Sequence, residues 1–518
     1  MTQVCRIQNR EGRVKVKTEV LIIGGGATGV GISRDLAMRG ISSALVEKGD
    51  FASGASGRNH GLLHSGGRYA VSDPEAAKEC IAENWILRKI APHCIEETGG
   101  LFVSLPGDDL QFRDRFLRAC EEAKIPNTLC SRDETLALEP ELYPGLLSAV
   151  KVPDGAIDPF KLILENVKDA ESHGAQFFLH TEVTSLLTEG TKITSIEAKD
   201  LLTGEEFSID AAFIINAAGA WANQILQLAG LRIRMALSKG SLLITNQRLT
   251  HRVINRCRQP SDGDIVVPNE TVSILGTTSI RLDEIERFEV TSHEVSLLVR
   301  ETSKMIPAIQ GARLLRAYAG IRPLFQPEET GNDRAISRGF TLIDHGKRDG
   351  IKNLITITGG KLMTYRLMSE KTSDLICEKI GRAISCSTHL NPLPGASNRF
   401  GSKERLQQFL ADRGETLCDC ELVQRKEVAE FLEKEKLKDI QDILHRTRLA
   451  KGTCQGGFCV YRLLGVLHHL GMGGKDSNKI LKRFLEERWK GIRPILWGTA
   501  LKEEELIESI YKGIFNLT

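Results

Sequence analysis

The feature that most constrains the fold is a glycine-rich turn near the start of the chain. Residues 18–23 are an apolar run typical of a buried strand, and they lead directly into Gly24, Gly26 and Gly29 of a G-x-G-x-x-G motif. An amphipathic helix is predicted over 27–39, followed by a second apolar strand over 43–46 that ends in Glu47. The order strand, glycine turn, helix, strand and acid predicts a βαβ unit that binds a dinucleotide.

Each position of this motif has a physical role. Gly24 permits the tight turn, Gly26 lets the backbone approach a pyrophosphate, and Gly29 lets the helix pack closely on the strand. The helix N-terminus would then offer free N–H groups and a positive dipole end to the phosphates. A carboxylate at Glu47 is suited to the ribose hydroxyls and disfavours the extra phosphate of NADP.

Charge and hydropathy exclude several function classes. The 518 residues predict two to four domains, and 69 Lys+Arg against 67 Asp+Glu argues against a nucleic-acid-binding protein. We expect no transmembrane span, because no apolar run reaches the ~18 residues that a span requires. Residues 1–17 form a basic arm without the apolar core of a signal peptide, so we expect a cytoplasmic chain with reduced cysteines.

Four of the twelve cysteines are grouped near the C-terminus. Cys418 and Cys420 form a C-x-C pair, and Cys454 and Cys459 form a C-x4-C pair. Four thiolates suit either a 2Fe–2S cluster or zinc, and C-x-C is tight for a zinc knuckle. A Pro-, Gly-, Ser- and Asn-rich stretch over 391–402 predicts a linker before this region. We expect a metal-binding domain over 403–475 and a helical extension over 476–518, which packs on the dinucleotide-binding part or docks a partner.

The most specific resemblance lies in residues 57–69, GRNHGLLHSGGRY. This run is similar to the flavin loop of the anaerobic sn-glycerol-3-phosphate dehydrogenases, catalytic A subunits. Further similar stretches are VKVPDGAIDPFKL (150–162), INAAGAWA (215–222), RAYAGIRPLF (316–325) and TITGGKLMTYRLM (356–368). The wider family is the FAD-dependent oxidoreductases of the glycerol-3-phosphate dehydrogenase and amino-acid oxidase type. The cysteine spacing resembles the 2Fe–2S domain of the bacterioferritin-associated ferredoxins.

The resemblance implies a fold class and a set of cofactor-binding residues. We expect an α/β FAD-binding Rossmann-like domain of the glutathione-reductase/amino-acid-oxidase type over 18–390, with an interleaved α+β substrate domain. A small C-terminal helical iron–sulfur domain follows. The residues expected to bind FAD are Gly24, Gly26, Gly29, Glu47, Ser56, Asn59, His60, Gly61, Val183, Gly219, Gly359, Gly360 and Leu362.

The chemistry of alcohol oxidation indicates a second set of residues. The hydroxyl proton needs a base, and a phosphorylated substrate needs Arg or Lys anchors. By resemblance, Arg322 and Lys361 lie near the reacting hydroxyl beside Tyr69, and Arg68 and Arg338 help to bind the substrate. His64 and His60 are both candidate bases, because an imidazole pKa of ~6.5 suits the task.

The function implied by the resemblance is FAD-dependent oxidation of sn-glycerol 3-phosphate to dihydroxyacetone phosphate. Electrons would leave through the 2Fe–2S cluster to two partners, a flavin-bearing B subunit, then a membrane-anchoring iron–sulfur C subunit, before reaching a membrane quinone. The chain would then lie at the inner face of the cytoplasmic membrane through those partners. Two alternatives stay open: the same fold acting on an amine, imino acid or 2-hydroxy acid, and a non-catalytic flavin and iron–sulfur redox protein.

Overall fold

The computed structural model describes residues 5–8, 14–286, 288–326, 339–397, 402–411, 414–435, 439–472, 477–514 and 516–517. Its strands are β1 Cys5–Gln8, β2 Val14–Ile23, β3 Ser43–Val46, β4 Leu62–Leu63, β5 Ile95–Glu96, β6 Gly100–Ser104, β7 Thr128–Ser131, β8 Ser148–Val152, β9 Gly155–Ile157, β10 Gln176–Phe178, β11 Thr181–Glu189, β12 Lys192–Asp200, β13 Glu206–Asn216, β14 Met235–Thr245, β15 Val253–Arg256, β16 Ile265–Asn269, β17 Val272–Gly276, β18 Ile280–Leu282, β19 Leu314–Phe325, β20 Phe340–Asp344, β21 Leu354–Gly359, β22 Thr416–Cys418 and β23 Val423–Gln424.

The helices alternate with these strands in the first part of the chain and dominate its end. They are α1 Ala27–Met38, α2 Gly67–Ala70, α3 Pro74–Ile90, α4 Leu110–Glu122, α5 Arg132–Leu138, α6 Pro159–Ser172, α7 Ala222–Gln227, α8 Ser292–Ser303, α9 His345–Arg348, α10 Tyr365–Ile380, α11 Ser402–Ala411, α12 Arg425–Glu435, α13 Ile440–Thr447, α14 Cys459–His469, α15 Ser477–Ile492 and α16 Thr499–Ser509. None of the helices in the described ranges is long and apolar enough to cross a membrane.

The first sheet contains the βαβ unit. Strands β10, β3, β2, β13 and β21 run parallel in that order, and β20 pairs antiparallel with β21. The carboxyl ends of the four strands β2, β3, β13 and β21 therefore lie at one edge. Gly24, Glu47, Gly219 and Gly359 stand at or just after those ends. Ligands of open α/β sheets bind at such an edge.

Helix α1 is the best-buried helix of this layer. It packs beneath the sheet against α6 and α10, and its Ile32 and Leu36 side chains have no exposed surface. Burying an Ile or Leu side chain contributes ~1.5–3 kcal/mol. The buried Arg34 is compensated by Asp169, whose carboxylate lies 2.5 Å from its Nε. This packing fixes the N-terminus of α1, and with it the glycine turn.

Part of the expected N-terminal arm belongs to the first sheet. Strand β1 pairs antiparallel with the first residues of β2, so residues 14–17 extend the sheet instead of preceding it. Val16 is fully buried, and Lys15 pairs with Asp210 at 2.8 Å. The alternation of apolar and basic residues in this stretch suits a strand with one buried face.

The second sheet is built from two chain segments, 100–152 and 235–325, that are interleaved with those of the first sheet. Its order is β18-β14-β17-β16-β15-β6-β8-β7, with β19 paired along β14. In the β14–β19 register, Gly240 is opposite Gly320 and Ser238 is opposite Arg322. This pairing places Gly240 and Arg322 on one wall, and the parallel pairing of β15 with β6 joins the two segments.

The C-terminal region has its own core. Leu417 and Val460 from 403–475 pack in the same cluster as Leu481, Phe484 and Ile507 from 476–518. The segment 476–518 therefore shares a core with the preceding segment, because its amphipathic helices cover the apolar face of α14. In the described part of the expected linker, Leu393 is buried and its N–H donates to Ile90 O at 2.8 Å.

Candidate functional site

A large cavity opens at the carboxyl edge of the first sheet and is closed on the other side by the second sheet. Its volume is about 1170 Å³, above the ~300–1,000 Å³ of ordinary ligand sites. Of the predicted cofactor-binding residues, those that line it are Gly24, Gly26, Glu47, Ser56, Asn59, His60, Val183, Gly219, Gly359, Gly360 and Leu362. The cavity has room for a dinucleotide and a small substrate together.

The glycine turn leaves the N-terminus of α1 open to the cavity. Gly24 has φ +118°, and a Cβ there would lie 2.6 Å from Ala217 O. Gly29 does not line the cavity; a Cβ on it would collide with Gly24 O, so this glycine sets the close packing of helix on strand. The N-cap, Gly26, has no side chain to occupy the space before the helix. These features suit a pyrophosphate bound at the helix end.

Glu47 is held by the backbone on both carboxylate oxygens. Oε2 accepts from Gly25 N at 2.6 Å and Oε1 accepts from Gly49 N at 2.8 Å. Burial raises the pKa of Glu47, and these backbone hydrogen bonds oppose that shift. Each carboxylate oxygen has two lone pairs, so both can still accept a ribose hydroxyl.

The loop over 54–61 is shaped by its own side chains. Ser56 Oγ accepts from Ala27 N at 3.0 Å, which ties the loop to the start of α1. Asn59 donates to Ser56 O at 2.7 Å and accepts from Gly61 N at 2.8 Å. Gly61 lies outside the cavity lining and turns the chain at φ +65°. The hydrogen bonds of Asn59 and the backbone turn at Gly61 therefore set the shape of the loop.

Two imidazoles, a phenol and an ammonium form a row along the cavity wall. The ring centroids of His60 and His64 are 5.9 Å apart, and those of His64 and Tyr69 are 5.5 Å apart. Lys361 Nζ lies 4.8 Å from the centroid of the Tyr69 ring. The structure thus brings together four of the predicted active-site residues.

Both imidazoles are neutral at pH 7. Burial lowers the pKa of His64 well below its ordinary value, and His60, Arg68 and Lys361 add to the shift. Burial and the cations Arg322 and Arg68 lower the pKa of His60 to about 3. His60 Nδ1 accepts from Leu62 N at 3.2 Å, which assigns the proton to Nε2. With its accepting nitrogen engaged, His60 is a hydrogen-bond donor to the cavity, and His64 is the better-suited base.

Two arginines reach the same cavity. Arg322 Nη2 donates to Thr277 Oγ1 at 2.6 Å and Nη1 donates to Thr278 O at 3.2 Å. Its guanidinium lies flat on Gly240, where a Cβ would be 2.6 Å from Arg322 Cζ. Together with Lys361, Arg322 and Arg68 form a cationic wall that favours an anionic ligand.

Arg68 is oriented by a buried carboxylate. Its Nη2 lies 3.5 Å from Asp264, which is fully buried and also accepts from Arg258 Nε at 3.0 Å. Asp264, Gly240 and Thr277 were not predicted from the sequence as site residues. Gly240 lies in KGSLLI (239–244) and Asp264 in INRCRQPSDGDIVVP (254–268), two further stretches that resemble the family. The predicted Arg338 lies outside the described residues.

The four C-terminal cysteines meet in a ring. The Cys418 thiol lies beside those of Cys420 and Cys459 and interacts with both, and the Cys454 thiol lies beside the same two thiols. Hydrogen bonding to Cys420 raises the pKa of Cys418 to about 11.

The shape of this ring bears on the metal. Within the described ranges, the ligand atoms of Glu370, Cys386 and His389 are the only group of three or more that all lie within 4.8 Å of one another. No three of the cysteine sulfurs are therefore that close to each other, whereas a tetrahedral zinc with Zn–S of ~2.3 Å needs all six S–S separations near ~3.8 Å. This ring is therefore more open than a tetrahedral four-thiolate zinc site.

The group of Glu370, Cys386 and His389 is disfavoured as a cation site. Arg366 Nη1 lies 2.6 Å from Glu370 and 3.9 Å from Cys386 Sγ. A fixed guanidinium charge already neutralises the carboxylate and would repel a cation there.

Comparisons with known proteins agree with this geometry. Residues 19–366 match the family described as FAD dependent oxidoreductase. The chain is 45% identical over 526 residues to the A subunit of the anaerobic glycerol-3-phosphate dehydrogenase of Escherichia coli (strain K12), covering 96% of this chain and 97% of that protein. It is 40% identical over 537 residues to the corresponding A1 subunit from Haloferax volcanii, covering 97% and 91%.

Two solved structures have the same fold. The glycerol-3-phosphate dehydrogenase from Bacillus halodurans, complexed with FAD, has a TM-score of 0.65 and 21% identity, covering 93% of this chain and 96% of that chain. Glycine oxidase from Geobacillus kaustophilus has a TM-score of 0.59 and 22% identity, covering 74% and 100%. The expected fold class is confirmed.

Proposed function

The chain belongs to the FAD dependent oxidoreductases, within the family of anaerobic glycerol-3-phosphate dehydrogenase A subunits, and we propose from this premise how its residues oxidise sn-glycerol 3-phosphate to dihydroxyacetone phosphate. The observation that carries the proposal is one cavity holding both a neutral imidazole, His64, and three cations, Arg68, Arg322 and Lys361. In such a cavity the cations can bind a phosphate while the nearby imidazole accepts a hydroxyl proton.

FAD is the cofactor of this reaction, and the cavity suits it. Gly24, Gly26 and the α1 N-terminus would hold the pyrophosphate, Glu47 the ribose and Gly359–Gly360 the flavin ring. Bound FAD supplies the acceptor for a hydride from the carbinol carbon of the substrate.

We assign the phosphate of the substrate to Arg322 and Arg68, a role for Arg322 that differs from the place near the reacting hydroxyl implied by the resemblance. Arg322 is fixed by Thr277 and the carbonyl of Thr278, so its guanidinium is pre-oriented. Pre-orientation reduces the entropy lost on binding and aims the C–H bond at the flavin.

The hydroxyl proton passes to His64. As the O–H bond breaks, its proton moves to the imidazole nitrogen and its electron pair forms the second bond of the C=O group. The hydrogen on the carbinol carbon leaves as hydride with the C–H electron pair. Lys361 stabilises the negative charge that develops on this oxygen, and His60 Nε2–H is a second donor. Because its pKa is lowered, protonated His64 gives the proton on readily and is ready for the next turnover.

The four cysteines would hold a 2Fe–2S cluster, with zinc as the alternative. A cluster accepts one electron at a time and so connects a two-electron oxidation to one-electron acceptors. The relatives are named as A subunits, which supports an enzyme of several subunits. We assign as partners a flavin-bearing B subunit plus a membrane-anchoring iron–sulfur C subunit. The final acceptor is then a membrane quinone, and the chain lies at the inner face of the cytoplasmic membrane.

The alternative substrates fit the cavity less well. An imino acid or 2-hydroxy acid needs one arginine for its carboxylate and a simple amine needs none, whereas the cavity offers three cations, Arg68, Arg322 and Lys361. A redox protein without turnover would not need this pocket at all.

The test is anaerobic reduction of the purified chain by sn-glycerol 3-phosphate. Loss of the visible flavin band and appearance of a reduced-cluster EPR signal are expected, and glycerol or glycine should give neither. Bleaching without an EPR signal would retain the dehydrogenase and point to zinc. A flavin that dithionite reduces but sn-glycerol 3-phosphate does not would refute the substrate.

A further inference from the structure

A single segment of the C-terminal region makes a series of charged contacts with the FAD-binding part. We call residues 442–451, which include the end of α13, the docking segment. Its cross-contacts are Asp442 Oδ2 to His180 Nε2 at 2.7 Å, Arg446 Nη2 to Asp50 Oδ1 at 2.6 Å, Arg448 Nη1 to Glu270 Oε1 at 2.9 Å, and Lys451 Nζ to Asp158 Oδ2 at 3.5 Å. The segment leads directly to Cys454.

Arg448 ties the two sides together. Its Nη1 donates to Glu270 on the FAD-binding side, and its Nη2 donates to Glu421 Oε2 at 2.7 Å. Glu421 is the residue after Cys420. One planar guanidinium therefore connects a residue adjoining the cysteine ring with a carboxylate across the interface, a geometry that a lysine cannot reproduce.

The loops that carry the cysteines are held in costly backbone conformations. Leu422, Arg448, Ala450 and Gln455 have φ between +48° and +64°. Non-glycine residues keep such angles only where surrounding contacts over-determine them, and they concentrate at functional sites. The cysteine ring thus has a defined shape and a defined position against its neighbour.

A connected path leads from the cavity to this ring. His60 and Leu62 line the cavity, and between them Gly61 O accepts from Ile157 N at 2.7 Å. Asp158 follows and pairs with Lys451, three residues before Cys454.

We propose that the docking segment holds the four-cysteine site against the cavity wall for electron transfer from reduced flavin, with Arg448 as a positioning residue. This inference rests on the proposed function. Each transfer would move one electron from reduced flavin to the oxidised cluster, and two transfers would return the flavin to its oxidised form with release of the proton that the hydride left on it. An external one-electron acceptor then reoxidises the cluster, so two transfers complete one substrate oxidation.

The test uses the full-length holoenzyme and the variant Glu270→Gln, which removes the negative charge that faces Arg448 and Lys451 across the interface and leaves the Arg448–Glu421 contact in place. The matched control is Glu415→Gln, which removes the exposed pair with Arg425 (3.0 Å) within the C-terminal region. After anaerobic mixing with sn-glycerol 3-phosphate, we expect Glu270→Gln to slow growth of the reduced-cluster EPR signal roughly tenfold, equivalent to about 1.4 kcal/mol. The rate of flavin bleaching should be unchanged in both variants.

Two readouts separate positioning from a damaged fold. The dithionite-reduced EPR spectrum should be the same in all three proteins, and hydrogen exchange over 442–451 should increase in Glu270→Gln alone. Equal rates of cluster reduction in Glu270→Gln and the control would refute the role of Arg448. A wild-type cluster that dithionite reduces but substrate does not, although flavin bleaches, would refute the route and leave the dehydrogenase intact. Absence of any cluster signal with dithionite would overturn the proposed cluster and this inference together.

Discussion

Adding one methyl group at Gly240 should displace the guanidinium of Arg322, the proposed phosphate anchor, although Arg322 itself is unchanged. The Cβ of Gly240→Ala would lie 2.6 Å from Arg322 Cζ, whereas ordinary contact begins at 3.4 Å. The guanidinium must therefore move by at least 0.8 Å. In the structure its hydrogen bonds to Thr278 O are 3.2 Å long. The shift breaks them, because contacts beyond about 3.5 Å are no longer hydrogen bonds.

The size of the effect follows from the bonds that are lost. A hydrogen bond from a charged donor contributes ~1.5–3 kcal/mol, so kcat/KM for sn-glycerol 3-phosphate should fall roughly 10- to 100-fold. Most of the loss should be in KM, since hydride and proton transfer occur elsewhere in the cavity. The sheet itself should tolerate the change, because alanine is compatible with a strand.

The assay is steady-state reduction of an artificial acceptor, with Gly311→Ala as control. Gly311 precedes β19, and a Cβ there meets open space. The double variant Gly240→Ala/Arg322→Ala should be no worse than Arg322→Ala alone, because both changes remove the same interaction. A Gly240→Ala enzyme within twofold of wild type, or fully additive losses in the double variant, would refute the reasoning.

Three further outcomes are expected. The pH profile of kcat, measured at saturating substrate so that ionisation of the free substrate phosphate near pH ~6 does not enter, should stay flat from neutral pH to below 6.5, because burial and neighbouring cations lower the pKa of His64 and keep it neutral there; an acid limb at or above 6.5 would contradict this base. Asp264→Asn should raise KM roughly tenfold with little change in kcat, because Arg68 loses its buried partner; an unchanged KM would show that Arg68 does not bind substrate. Cys420→Ser should abolish the reduced-cluster EPR signal while the flavin still bleaches with substrate; retention of the signal would remove Cys420 from the ligand set.

The strands of the first sheet show how far local patterns reach. The helix predicted over 27–39 is observed as Ala27–Met38. The local pattern over 207–210 and 212–215 suggests two separate strands, but both stretches belong to one strand, Glu206–Asn216. Its first half pairs with β12 and its second half with β21, so its polar middle lies where the partner changes. Periodicity within one strand cannot show such a change of partner.

The chain by itself determined the nucleotide-binding unit, the family and the four-cysteine motif. Each of these features depends on residues that are close together in the sequence, because turn geometry, strand patterning and ligand spacing are local properties. The tertiary structure decided the rest: Asp264 orients Arg68 across 196 positions, Gly240 supports Arg322 across 82, and Arg448 joins Glu270 to Glu421. These contacts depend on how two interleaved sheets and a docked helical region pack, and packing between distant segments leaves no periodic signal in the sequence.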